Sequence, residues 1–199
     1  MTKHRETGGK RPGFSALLRL LGLWTALILG APGVAYAAAP HWTPAQVERL
    51  VQWLDYARDD ALTMAVSEVP KIRKMQGEQN EERLDEVATD AAVRLLTGFY
   101  TGCCDASLKT GWQIAGDRPT GDPRQRVVEA LAQDRLDQMF IDAEPHHPFY
   151  RAMRRAYAAE ADAARRATLA ANMDRWRWMP RALGRRYLLV NTASFEAML

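Results

Sequence analysis

Apolar residues return at helical spacing along most of this chain, and proline or glycine fences off each stretch. Val47, Leu50, Val51, Leu54, Ala57, Ala61, Leu62 and Ala65 make one stripe; Leu84, Val87, Ala88, Ala91, Leu95 and Phe99 make another. Steps of three and four residues put such positions on one side of an α-helix, which must then be buried. Thr43 caps the first helix, Pro44 fits its first position and Gln46 completes a capping box, with Trp42 stapled against Val47. Pro70 ends that helix, and the polar stretch 71–83 reads as a link or an exposed helical turn. Gly98, Gly102, Gly111, Gly116 and Gly121 predict irregular backbone over 101–121, anchored by Trp112 and Ile114. Asp122-Pro123 is a second helix start, followed by Val127, Val128 and Leu131, then by Leu136, Met139 and Phe140. After the break at Pro145-His146-His147-Pro148, Phe149, Met153, Ala156 and Tyr157 open a further helix. The alanine-rich tract 156–171 is helical by propensity. Leu169, Met173 and Trp176 restore the stripe before Pro180. The fold class is therefore mostly α, with about five or six helices. It ends in one C-terminal β-hairpin or incomplete sheet, with strands near 188–191 and 195–199 joined across Thr192-Ala193-Ser194. Two strands alone are marginal, and their edges call for a partner.

The first 37 residues read as a secretory signal peptide. Lys3, Arg5, Lys10, Arg11 and Arg19 make its basic start, 20–29 its apolar run, and Ala35-Tyr36-Ala37 its cleavage site. Of the chain's net charge of +3, the leader holds five basic residues and one acidic, so 38–199 is near −1. The basicity belongs to the leader, and nothing argues for nucleic-acid binding. The expected location is periplasmic, or otherwise exported to the cell envelope, with no stable membrane span after cleavage.

Little in the sequence offers chemistry. Cys103 and Cys104 are the only cysteines and are adjacent, a strained geometry for a disulfide. They read as buried or half-buried small residues. A cysteine hydrolase using one of them with a distant histidine is a rival reading, and it would need a base and an oxyanion hole. His146-His147 lacks a third metal ligand at helical spacing. The expectation is a helix start at which His146 packs and His147 or its backbone satisfies the first turn. Arg175, Arg177, Arg181, Arg185 and Arg186 alternate with Trp176, Trp178 and Tyr187, and read as interface packing with guanidinium over indole. No cofactor, no metal site and no catalytic residue is assigned.

Two segments carry a resemblance. Asn172, Arg175, Trp176, Arg177, Trp178 and Pro180, followed by Asn191 and Phe195, resemble the junction leading into the catalytic domain of large multi-domain bacterial L,D-transpeptidases, which crosslink peptidoglycan. Asp90 within Thr89-Asp90-Ala91-Ala92, Trp112, and His147, Pro148 and Tyr150 resemble motifs of the helical scaffold of those enzymes. The resemblance covers roughly 84–199. It implies that the cysteine of a complete enzyme attacks a peptide stem at its third residue and passes the acyl group to an amine of another stem. Nothing in this sequence matches the family's Ser-His-Gly-Cys motif. Only 158–171 separate the scaffold helices from the junction, too few for the peptidoglycan-binding domain usual there. The expected organisation is a signal peptide over 1–37, a helical scaffold domain over 38–171, and over 172–199 the junction helix and first strands of an incomplete catalytic domain. The implied partners are peptidoglycan stem peptides or the missing catalytic domain. The alternative is an exported helical interaction module that binds cell wall or a partner protein.

Overall fold

The structure, a computed structural model, describes residues 40–102, 106–117, 119–191 and 195–199. The leader, the Cys103-Cys104 pair and the 192–194 turn lie outside the described residues. In order come α1 (Pro44–Tyr56), α2 (Thr63–Val66), α3 (Val69–Gly77), α4 (Glu81–Thr101), a 3-10 turn (Ala106–Lys109), α5 (Pro123–Ala132), α6 (Leu136–Ala143), α7 (Pro148–Ala159), α8 (Ala163–Arg177), β1 (Leu189–Asn191) and β2 (Glu196–Met198). The fold is mostly helical with a small antiparallel hairpin. Among the described residues, no helix is long and apolar enough to cross a membrane.

The 21-residue α4 is the axis of the molecule, and α1, α2, α3, α5, α6 and α8 all pack on it. Ala88, Ala91 and Ala92 have no exposed surface, and their short side chains let neighbouring helices come close. Leu95, Leu96 and Phe99 join Val47, Leu50, Leu54, Ile72, Leu136 and Phe140 in one continuous core. A smaller apolar cluster of Ala61, Tyr150, Tyr157, Ala170 and Met173 lies under the α7–α8 pair. The capping box at α1 is present: Gln46 N donates to Thr43 Oγ1 at 3.3 Å, and Thr43 N donates back to Gln46 Oε1 at 3.0 Å. Trp42 is buried beside it, donating from its backbone N to Asp85 Oδ1 at 2.8 Å and from Nε1 to Thr89 Oγ1 at 2.9 Å. Two polar contacts thus fix the start of α1 on α4.

The structure departs from the sequence expectation in the first third. The stripe running to Ala65 is not one helix. Helix α1 stops at Tyr56, and residues 57–62 form a turn in which Leu62 N donates to Ala57 O at 3.2 Å and Ala61 sits at φ +58°. Leu62 and Ala65 stay buried in the main core although the helix has ended, and Ala61 is buried in the smaller cluster with Tyr150 and Met173. Periodicity reports burial and does not report continuity of the backbone. Pro70 starts a helix instead of ending one: it occupies the first turn of α3, where its missing N–H costs nothing. The polar stretch after it is helical through Gly77, held by one buried residue, Ile72, against α4. Ile114, expected as an anchor, is exposed, as is Phe149. The irregular segment behaves as its glycines predict, with only the 3-10 turn as regular structure among its described residues.

At the other end β1 and β2 pair with Leu189 opposite Met198, Val190 opposite Ala197 and Asn191 opposite Glu196. Leu188, Val190, Phe195 and Leu199 are all exposed, Phe195 at 95%.

Candidate functional site

Four of the residues singled out in sequence, His147, Tyr150, Trp176 and Arg177, meet at one corner, where the start of α7 meets the end of α8. Pro148 disfavours helical backbone at the residue before it. His147 accordingly sits at φ −63°, ψ 138° and becomes the N-cap of α7. Its Nδ1 accepts from Phe149 N at 3.2 Å. That assigns the ring proton to Nε2, which donates to Tyr187 Oη at 2.8 Å. The imidazole also stacks on Trp176, with centroids 4.1 Å apart and planes 17° from parallel. One ring therefore joins α7, α8 and the segment that leads to the hairpin. His146, expected to pack, is exposed, and the capping role falls to the His147 side chain alone.

Burial holds the His147 imidazole below the usual histidine range. The unfolded chain therefore takes up more protons than the folded one as pH falls through about 6.5. Stability is full above that value and is lost on acidification. We expect the melting temperature to fall further between about pH 8 and pH 5 in the native chain than in His147→Asn, which keeps a capping acceptor and does not titrate. Parallel melting curves for the two would negate the assignment of Nδ1 as the acceptor.

Beneath this contact lies a buried polar network. Tyr150 Oη donates to Asp60 Oδ1 at 2.6 Å, and Arg177 Nη2 donates to Tyr150 Oη at 2.9 Å. The same guanidinium bonds the Asp60 carbonyl and the Asp174 carboxylate. Arg154 Nε donates to Asp60 Oδ2 at 3.1 Å, and its guanidinium lies 3.7 Å from the centre of the Tyr56 ring. Asp60 and Tyr150 have no exposed surface, and Asp174 and Arg177 only 1% and 2%. Two carboxylates face two guanidiniums, so the charges balance. Burial pushes the Asp60 carboxyl up, opposed by the Tyr150 hydrogen bond and by Arg154 and Arg177. Burial also drives the Tyr150 hydroxyl well above its ordinary range, and beside Glu144 it lifts Tyr56 to about 12. Tyr150 is thus a fixed proton donor, with no capacity to act as a base near neutral pH. The arrangement is a clamp between the turn at Asp60, α7 and α8.

Three helix ends meet at Arg181. Its guanidinium donates to Phe99 O at 2.7 Å, Ala143 O at 3.1 Å and Arg177 O at 3.1 Å, carbonyls in the last turns of α4, α6 and α8. Those carbonyls have no helical partner and carry the negative ends of the helix dipoles, so one cation satisfies all three. Burial lowers the Arg181 pKa from its usual value. Trp178 Nε1 donates to Thr101 O at 2.8 Å, again at the end of α4, and meets Trp112 edge-on at 5.5 Å. Gly102, at φ +78°, lies where a Cβ would overlap the Asp174 carboxylate, and Gly116 where one would strike the Trp178 carbonyl.

Of the scaffold-motif residues, His147 and Tyr150 meet the junction at Trp176 and Arg177, Trp112 meets it at Trp178, and Pro148 stands exposed at the start of α7. Asp90 does not join them. It pairs with Arg124 at 2.9 Å on the exposed side of α4. In the junction, Asn172 Oδ1 accepts from the exposed Arg175 at 2.6 Å, Pro180 is half-buried, Asn191 lies in β1 and Phe195 is exposed in the turn just before β2. Sequence reasoning missed Asp60, Arg154 and Asp174. Nothing in a run such as Arg58-Asp59-Asp60 distinguishes the carboxylate that will be buried from its exposed neighbour. Among the described residues no group of His, Cys, Asp and Glu is placed to hold a metal ion.

Fold and corner together define a helical structural module, built to hold segments in place. The chain belongs to the scaffold-domain family, whose model matches residues 35–156. No curated protein and no solved structure matches it.

Proposed function

We propose that this chain is the non-catalytic scaffold portion of an L,D-transpeptidase-like protein acting in peptidoglycan crosslinking at the cell envelope. One observation carries the reading. The two segments that resemble that family, far apart in sequence, pack on each other: His147 stacks on Trp176, and Tyr150 accepts from Arg177. Membership of the scaffold-domain family supports the same reading for 35–156. The network at Asp60, Arg154 and Arg177 fixes the angle at which the chain leaves the helices, and Arg181 locks three helix ends around that exit. The hairpin beyond it presents strand edges that the sheet of a catalytic domain would extend. In this role the chain positions a catalytic sheet and contributes no nucleophile. The exposed apolar side chains at Leu188, Val190 and Phe195 equally suit a partner protein that adds a strand.

Reading the gene across the codon for Leu199, together with the mass of the envelope-fraction protein, tests the proposal. A Ser-His-Gly-Cys motif in the same or an adjacent reading frame, with the product in the envelope fraction, is the expected result. A cytoplasmic product with no such partner frame would overturn it.

A further inference from the structure

A cavity of about 430 Å³ lies between the start of α7 and the hairpin. Phe149, Tyr187, Leu189 and Met198 form its apolar wall, and Arg185 and Arg186 its cationic one. Leu189 stands opposite Met198 in the ladder, so the two share one face of the hairpin, and Leu188 and Val190 fall on the other. Phe149, Tyr187 and Met198 are exposed, so apolar surface meets water here. Both arginines are exposed as well, and among the described residues neither makes an ion pair or a hydrogen bond. In this they differ from Arg154 and Arg177, which Asp60 and Asp174 hold, and from Arg181, which caps three helix ends. Tyr187 adds a donor: its Oη accepts from His147 Nε2 at 2.8 Å, and its own proton is left to give. The surrounding charge has the same sign. Residues 148–199 hold ten arginines, no lysine and four acidic residues, net +6, whereas 38–147 hold twelve basic and nineteen acidic residues, net −7. A field of that sign draws anions to the mouth of the cavity. Guanidinium groups bind carboxylate and phosphate oxygens through two N–H groups at once. The volume and the mostly apolar lining suit a small-molecule site.

We propose that this cavity binds a single-chain anionic amphiphile, its carboxylate or phosphate head on Arg185 and Arg186 and its alkyl chain along Phe149, Leu189 and Met198. The inference stands on the cavity and does not rest on the crosslinking reading. Both halves of the ligand are needed. An anion without a chain leaves the apolar wall in water, and a chain without charge leaves the two guanidiniums with nothing but solvent.

The test follows the methyl resonance of Met198 in the full chain, labelled at its methionines, while decanoate, decyl phosphate, butyrate and decanol are titrated in separately, each below the concentration at which it aggregates. We expect saturable shifts with decanoate or decyl phosphate, and the tighter of the two identifies the head group. Butyrate, with a far shorter chain, should bind at least about a hundredfold more weakly than decanoate. Decanol, which keeps the chain and lacks the charge, should bind at least about tenfold more weakly than the better anion. The double substitution Arg185→Gln and Arg186→Gln removes both charges at exposed positions. It should weaken the better anion at least about tenfold while decanol binding and far-UV circular dichroism stay unchanged. No saturable shift with either anion, decanol binding as tightly as the better anion, or anion binding unchanged in the double variant would overturn the proposal.

Discussion

Arg177→Met lowers the unfolding free energy by about 3–5 kcal/mol, the range for removing one partner of a buried ion pair. Arg177 is 2% exposed and bonds Asp174, Tyr150 and the Asp60 carbonyl at once. Methionine fills the volume and satisfies none of them. The carboxylates of Asp60 and Asp174 then lose a shared cation in a site without water access, and Tyr150 loses a donor while still giving its own proton to Asp60. Urea denaturation of the two proteins measures the loss. Arg175→Met is the control two residues earlier. Arg175 is exposed and, among the described residues, bonds Asn172 one turn earlier, so its change should stay within about 0.5 kcal/mol. Equal effects of the two substitutions would mean that the network does not hold α8 in place.

Gly102→Ala is the second large effect, about 3 kcal/mol or more. Two costs combine at this position. Gly102 sits at φ +78° and ψ −175°, a region that side chains hardly enter, and a Cβ there would overlap the Asp174 carboxylate. Relief by moving Asp174 would break its pairing with Arg177. Gly111 separates the two costs: it has φ +79° but nothing near its missing Cβ. Gly111→Ala should therefore lose only the backbone term, about 1–2 kcal/mol. Thermal melts of both variants measure the difference, which combines contact with Asp174 and the backbone region peculiar to Gly102. A loss at Gly102 no larger than at Gly111 would show that the carboxylate yields freely.

Much of the fold was legible because its signals are local. The caps at Thr43 and Asp122, the prolines at 44, 123 and 148, and the stripes of α1 and α4 each state a helix start or a buried face within a few residues. The hairpin was legible for the same reason, as two short apolar runs around small residues. Where the sequence misled, the determinant was remote. Ala61 and Leu62 keep an apolar rhythm because a turn buries apolar residues as a helix does, and Pro70 looks alike at a helix start and a helix end. The site divides in the same way. His147, Tyr150, Trp176 and Arg177 stood out as residue types in an unusual order. Their contacts could not be read, because His147 stands 29 positions from Trp176 and Tyr150 stands 90 from Asp60. Asp60 and Arg154 gave no sign, since a surface ion pair and a buried one use the same letters. Arg181 did stand out among the arginines, but its role as a common cap needs three helix ends brought together in space.

We propose that this helical corner serves a protein that crosslinks peptidoglycan. The most direct test is the crosslink content of the cell wall, measured by digestion and mass analysis in cells with the gene intact and with it deleted. Crosslinks formed at the third residue of the stem should fall on deletion and return when the gene is restored. An unchanged proportion of those crosslinks would contradict it.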